Sequence, residues 1–130
     1  MTNTTQALKA LLSHLDAGKT PDAEQIYAAL GTSEHGLSYI LLAQWACDPD
    51  DIRGLGAAKA LHEAIAKRWS IHRIAQAIGG LWEVTLSEVG PDDERQDPTI
   101  EHRRLSASNG NLARAWVIAL LKARIAEAAE

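Results

Sequence analysis

Prolines next to helix-capping residues constrain the fold of this chain more than any other sequence feature. Pro21, Pro49 and Pro98 each stand beside a side chain that can cap a helix, and proline itself fits the first helical turn. Between such positions, apolar residues recur at spacings of three and four, as in the leucines from Leu8 to Leu15. The pattern predicts a succession of short amphipathic helices.

Composition supports the same fold class. The chain has 130 residues, with no phenylalanine and two tyrosines, and alanine and leucine dominate its apolar content. We therefore predict a single compact all-α domain of six or seven helices, arranged as a bundle. Residues 1–47 are predicted to form three short helices, which would be a tri-helical N-terminal part. Two helices are predicted in 48–90 and a helical hairpin in 97–130.

The segment from Ile71 to Val89 is the least certain of these elements. Apolar residues follow the helical period through it, but Gly79 and Gly80 interrupt the pattern. The segment is interpreted as one kinked helix, with two short helices as the alternative.

Charge is distributed unevenly along the chain. Through Asp51 there are two basic and seven acidic side chains, a net charge of −5, whereas the remainder carries eleven basic and ten acidic side chains. An acidic first half repels phosphate backbones, so nucleic acid is disfavoured as a partner. Opposed acidic and mixed surfaces are suited to docking with another protein.

The cellular location is predicted from cysteine usage and from the apolar runs. Cys47 is the only cysteine, which excludes an internal disulfide and fits a reducing compartment. The N-terminal residues lack the pattern of a signal peptide. The longest mostly apolar stretch, from Ala115 to Ala123, is too short to span a bilayer. These features predict a cytoplasmic protein without a membrane segment.

A helix-turn-helix motif is the main alternative reading of the first half. Two predicted helices flank a turn at Gly31, and Ser33, His35 and Ser38 would then face the DNA groove. The predicted reading helix has no lysine or arginine, which weakens this interpretation. The segment from Ile71 to Val89 offers a second, poorer match.

No catalytic or metal-binding pattern stands out. Zinc sites often use histidines three or four residues apart, and no two histidines of this chain have that spacing. Acidic residues behind Cys47 disfavour a reactive thiolate, and the acidic residues of 92–97 lie in a polar loop without the burial that tunes catalytic carboxylates. We predict no catalytic residue, no metal and no cofactor. An enzyme with an unrecognised site is the remote alternative.

A basic cluster in the last third is the predicted partner-binding site. Its members are Arg95, His102, Arg103, Arg104 and Arg114. Such residues can contact an acidic protein surface, although charged residues more often only solvate a helix face. The leading hypothesis is a small non-catalytic protein that binds another protein, as a regulator, an inhibitor or a small subunit of a larger complex. Homo-oligomerisation stays open.

Overall fold

The computed structural model describes residues 2–31, 38–88 and 103–129. Within these ranges the chain forms five helices and one three-stranded antiparallel sheet, so the fold is α+β. The elements in chain order are α1 (Thr2–Asp16), α2 (Ala23–Leu30), α3 (Tyr39–Cys47), α4 (Gly54–Ile65), β1 (Trp69–Gln76), β2 (Trp82–Glu88), β3 (Arg104–Asn109) and α5 (Leu112–Ala128).

The all-α prediction, with six or seven helices in a bundle, is therefore wrong. The predicted kinked helix from Ile71 to Val89 is a β-hairpin over its described part, and the predicted C-terminal hairpin contains a strand and a single helix. The physical reason lies in a β-bulge between Ile71 and Arg73, which inserts His72 without a partner on β2. The extra residue places Ile71 and Ile74 on the same face at a spacing of three, which imitates a helical period.

Gly79 and Gly80 form the turn of this hairpin instead of a helix kink. Their φ angles are +98° and +85°, a region that other residues rarely enter. The amide of Gly80 donates to the carbonyl of Ala77 at 3.2 Å, and the amide of Ala77 donates to the carbonyl of Leu81 at 2.7 Å. A Gly-Gly pair between two apolar runs is a known hairpin signal, so the sequence did carry this information.

The central strand β2 separates the core side of the sheet from its polar side. Val84 and Leu86 are fully buried and belong to the core, whereas Thr85 and Ser87 alternate with them on the opposite face. β1 and β3 pair with the two edges of β2, in the order β1-β2-β3. Sheet and helices therefore share one apolar core on a single face of the sheet.

Helix α5 lies at the centre of that core. It contacts α1, α3, α4, β2 and β3, and ten of its residues are buried. Asn111 caps its N-terminus, since its side chain accepts a hydrogen bond from the amide of Arg114 at 2.9 Å. No helix among the described residues has the length and apolarity needed to cross a membrane.

Two other helix starts differ in detail from the sequence prediction. The cap of α2 is Asp22, which forms a capping box with Gln25, while Pro21 lies one position before it. Helix α4 begins at Gly54 without a side-chain cap, because Asp48 and Asp51 hydrogen-bond to amides within the preceding loop. That loop, 48–53, joins α3 and α4 into a helical hairpin.

Replacement of Gly80 by alanine tests the turn. We expect Gly80→Ala to lower the free energy of unfolding by about 1–2 kcal/mol, since alanine is strained at positive φ. Gly110→Ala is the matched control because a Cβ there meets nothing within 4 Å and no positive φ is required. Urea unfolding of both variants provides the comparison, and equal stability of the two would contradict the assigned turn.

Candidate protein-docking groove

A groove lies between α3 and α4 on the surface of their hairpin. Its volume is about 350 Å³, at the lower end of the range for ligand pockets. The buried side chains of Leu42 and Ala57 lie deepest in the groove. The lining residues, which define the α3–α4 groove below, are Leu42, Trp45, Ile52, Arg53, Gly56 and Ala57.

Arg53 is held over one wall of the groove. Its guanidinium carbon lies 4.0 Å from the centre of the Trp45 ring, which is cation–π geometry. The Asp51 carboxylate accepts hydrogen bonds from Arg53 Nε at 2.9 Å and Nη2 at 2.8 Å. These side-chain bonds, with a further one from the Arg53 amide, lower the pKa of Asp51 to about 2. The ion pair and the cation–π contact together place the Arg53 side chain along this wall of the groove.

Exposed apolar side chains lie in the groove and next to it. Ile52 is 100% exposed, an unusual position for a large aliphatic side chain. Leu41 lies one turn before Trp45 on α3, Leu55 lies one turn after Ile52, and both are about half exposed. Contiguous exposed apolar residues of this kind typically mark an interaction surface.

Gly56 keeps one side of the groove open. A Cβ built on this residue meets no atom within 4 Å, and its φ is an ordinary helical one. Any larger side chain at this position would therefore project into free space instead of the core.

The predicted basic cluster does not form one patch in the structure. Arg103 is paired with Glu88, which also accepts a hydrogen bond from Arg68 at 2.8 Å. Arg103 further lies over the ring of Trp69 at 5.5 Å. Arg104 begins β3 and is exposed. Arg95 and His102 fall outside the described residues.

Arg114 is buried and faces the interior. It is 6% exposed, and its guanidinium donates to the carbonyls of Leu15, Lys19 and Cys47 at 3.3, 2.8 and 2.8 Å. These carbonyls lie at or just beyond the C-terminal ends of α1 and α3, where backbone acceptors lack helical partners. The side chain therefore ties two helices to the first turn of α5 and is not offered to a partner at the surface.

The residues of the helix-turn-helix reading are placed only in part. Ser33 and His35 lie outside the described residues. Ser38 is the N-cap of α3, and its hydroxyl accepts a hydrogen bond from the amide of Leu41 at 3.2 Å. Helix α3 itself contains no lysine or arginine, and four of its nine residues are buried. The second match, from Ile71 to Val89, is wrong because the described part of that segment is a hairpin.

His62 has a structural position instead of a ligand-binding one. The indole Nε1 of Trp116 can only donate, so the Nδ1 of His62, 3.0 Å away, accepts from it. The Nε2 of His62 must then carry the proton and donate to the carbonyl of Trp69 at 2.7 Å. The neutral ring thus joins α4, β1 and α5. Within residues 2–31, 38–88 and 103–129, no three His, Cys, Asp or Glu side chains are grouped to hold a metal ion.

Cys47 lies fully buried at the end of α3, where it packs as a small apolar side chain. Burial raises the pKa of its thiol from 9.0 to about 11, and the positive charge of Arg114 opposes part of that rise. The thiol is therefore neutral and inaccessible at ordinary pH.

The groove was missed from the sequence because its residues have a helical apolar pattern. Trp45 has the helical spacing of a core residue and is partly buried against the core, whereas Trp69 and Trp116 are buried. A usable signal was the position of Ile52 directly behind three aspartates in a loop, where an aliphatic residue has little chance of burial.

Comparison of the chain with protein-family models, curated proteins and solved structures gives no match.

Substitution of Arg114 tests its role as an internal link. We expect Arg114→Met to lower the free energy of unfolding by about 3 kcal/mol, because the carbonyls of Lys19 and Cys47 lose their donor and the carbonyl of Leu15 keeps only the amide of Gly18. Arg104→Met is the control, and a surface change of this type is expected to stay within about 0.5 kcal/mol. Urea unfolding that shows similar small losses for both would contradict the assignment.

The raised pKa of Cys47 makes stability depend on alkaline pH. The folded chain holds the thiol proton up to about pH 11, whereas the unfolded chain releases it near 9.0, so this stabilisation is present below pH 9.0 and lost above it. The full loss is about 3 kcal/mol. We expect Cys47→Ala to show a shallower fall in the free energy of unfolding between pH 9.0 and about pH 11. Parallel slopes for the two proteins would argue against the shift.

Proposed function

We propose that this protein is a non-catalytic binding module that docks a partner protein in the α3–α4 groove. The observation that carries the proposal is the open apolar surface around Ile52, which is fully exposed beside a groove with a buried apolar floor. Burial of such a surface against a partner is the main favourable term in protein association.

The residue types of the groove also support protein binding. Tryptophan and arginine are enriched among residues that dominate binding energy at interfaces. Here Asp51 fixes the Arg53 side chain over Trp45, so little conformational entropy remains to be lost on docking. An anchor side chain of a partner can therefore enter a preformed site.

This proposal replaces the predicted basic cluster as the docking surface. Arg114 is buried and Arg103 is engaged with Glu88, whereas Arg104 is exposed. No feature of the described residues favours the helix-turn-helix reading or an enzyme over protein binding. Both stay untested predictions.

A steric block provides the test. Gly56→Trp adds a large side chain to the lining of the groove at a position where a Cβ meets no atom within 4 Å, whereas Ala10→Trp places the same side chain on an exposed position of α1. Tagged wild-type protein and both variants are used to capture proteins from native extract of the producing cells, with and without nuclease. Circular dichroism and urea unfolding verify that both variants fold.

The proposal expects proteins that are captured by the wild type and by Ala10→Trp, are lost with Gly56→Trp, and survive nuclease. Equal capture by all three proteins would show that the groove is not the docking site. Partners that disappear with nuclease would instead move the DNA-binding reading to the front.

A further inference from the structure

We infer that the occupant of the α3–α4 groove is an amphipathic helix with basic residues at the end that meets the 48–53 loop. This inference rests on the proposed function and adds the chemistry of the partner. It follows from the shape of the helical hairpin and from the charges that border the groove.

The shape favours a helix as the occupant. Two neighbouring helices, α3 and α4, present a channel between them, and a third helix packs on such a pair through its side-chain ridges. A volume of about 350 Å³ accommodates a few aliphatic side chains rather than a whole polypeptide segment. A helix meets this requirement by inserting an apolar stripe at i, i+3 and i+4 while its backbone stays outside.

Charge distinguishes the two ends of the groove. At the loop end, Asp48 and Asp50 are exposed and have no ion-pair partner among the described residues. Asp51 is neutralised by Arg53, so the excess at this end comes from the other two aspartates. Asp48 lies close enough for its charge to act on the Arg53 guanidinium.

Among the described residues, the far end of the groove shows no comparable acidic excess. Lys59 lies one turn beyond Gly56 on α4, and Glu63 lies one turn beyond Lys59, so their charges offset each other. A partner helix with lysine or arginine at one end therefore has a preferred orientation, with that end beside Asp48 and Asp50. An acidic helix would be repelled from the same place.

Three synthetic peptides of about 18 residues test the inference directly. They share one leucine stripe and differ in four positions at one end, which are lysine, glutamine or glutamate. Binding to the full-length protein is measured by isothermal titration calorimetry, and the contacted residues are mapped by amide chemical-shift changes. We expect the lysine peptide to bind about tenfold more tightly than the glutamate peptide, with glutamine between them.

Two charge variants locate the effect. Asp48→Asn combined with Asp50→Asn removes the acidic end while the amide oxygen at position 48 still accepts from the backbone. Asp16→Asn combined with Glu24→Gln removes the same charge from exposed sites on α1 and α2. The lysine preference is expected to fall to about twofold or less in the first variant and to persist in the second. Equal losses in both variants would mean that the lysine preference reflects only the net charge of the protein, and this would overturn the inference.

The form of the occupant is tested by a proline in the centre of the lysine peptide. A helical ligand loses binding with this change, whereas an extended ligand retains it and would overturn the inference. Gly56→Trp must abolish binding of the lysine peptide, with Ala10→Trp as the control. If all three peptides bind equally in a manner that Gly56→Trp blocks, docking in the groove stands and the basic helix does not. The proposed function has a separate test: it fails if the capture of proteins from extract is not changed by Gly56→Trp.

Discussion

The buried guanidinium of Arg114 is the interaction on which the arrangement of the helices depends. An arginine in an apolar interior is tolerated only when its donors are satisfied, and here three backbone carbonyls accept from it. These acceptors lie at the C-terminal ends of α1 and α3, where the helix dipole is negative and favours a cation. One side chain on α5 therefore fixes where two other helices end. Because α5 also packs on α4, β2 and β3, the position of every layer follows from this central helix.

The groove is a consequence of this arrangement. Arg114 holds the carbonyl of Cys47, the last residue of α3, and the 48–53 loop starts at the next residue. Helix α4 is fixed independently against α5, where a Cβ on Gly54 would lie 3.4 Å from the Cβ of Ala113, and where His62 accepts from Trp116. The two walls of the groove are thus anchored to one helix at two separate places. A groove between anchored helices keeps its shape without a ligand, which is the property that lowers the entropic cost of docking.

The sequence located several helix starts and ends but assigned the three strands to helices, and the difference is physical. Helix starts and ends are local, so Asp22, Gly31 and Asn111 are recognisable from their neighbours. In β1, the bulge at His72 gave two isoleucines a helical spacing, and β3 has only Leu105 and Ala107 as apolar residues. The alternation of apolar and polar residues from Trp82 to Ser87 was the one clear strand signal. It was overlooked because the apolar residues around it also fit a helical period. Strand pairing is decided by partners 6 to 27 residues away, most of which lie outside the window of a local pattern.

The same argument explains why the described arginines of the predicted basic cluster lie apart in the structure. Arg103, Arg104 and Arg114 lie in the same short stretch of sequence. In the structure, Arg103 forms an ion pair, Arg104 is exposed at the start of β3, and Arg114 is buried in the core. Their roles depend on acceptors 15 to 99 residues away, as for Glu88 and Leu15. Conversely, Trp45 and Ile52 share the apolar character of core residues, but Trp45 is only partly buried and Ile52 is exposed, because α5 packs against α3 and α4 without covering the groove. An apolar surface that no described element covers is the feature on which the proposed docking site rests, and a partner helix is the occupant that we infer for it.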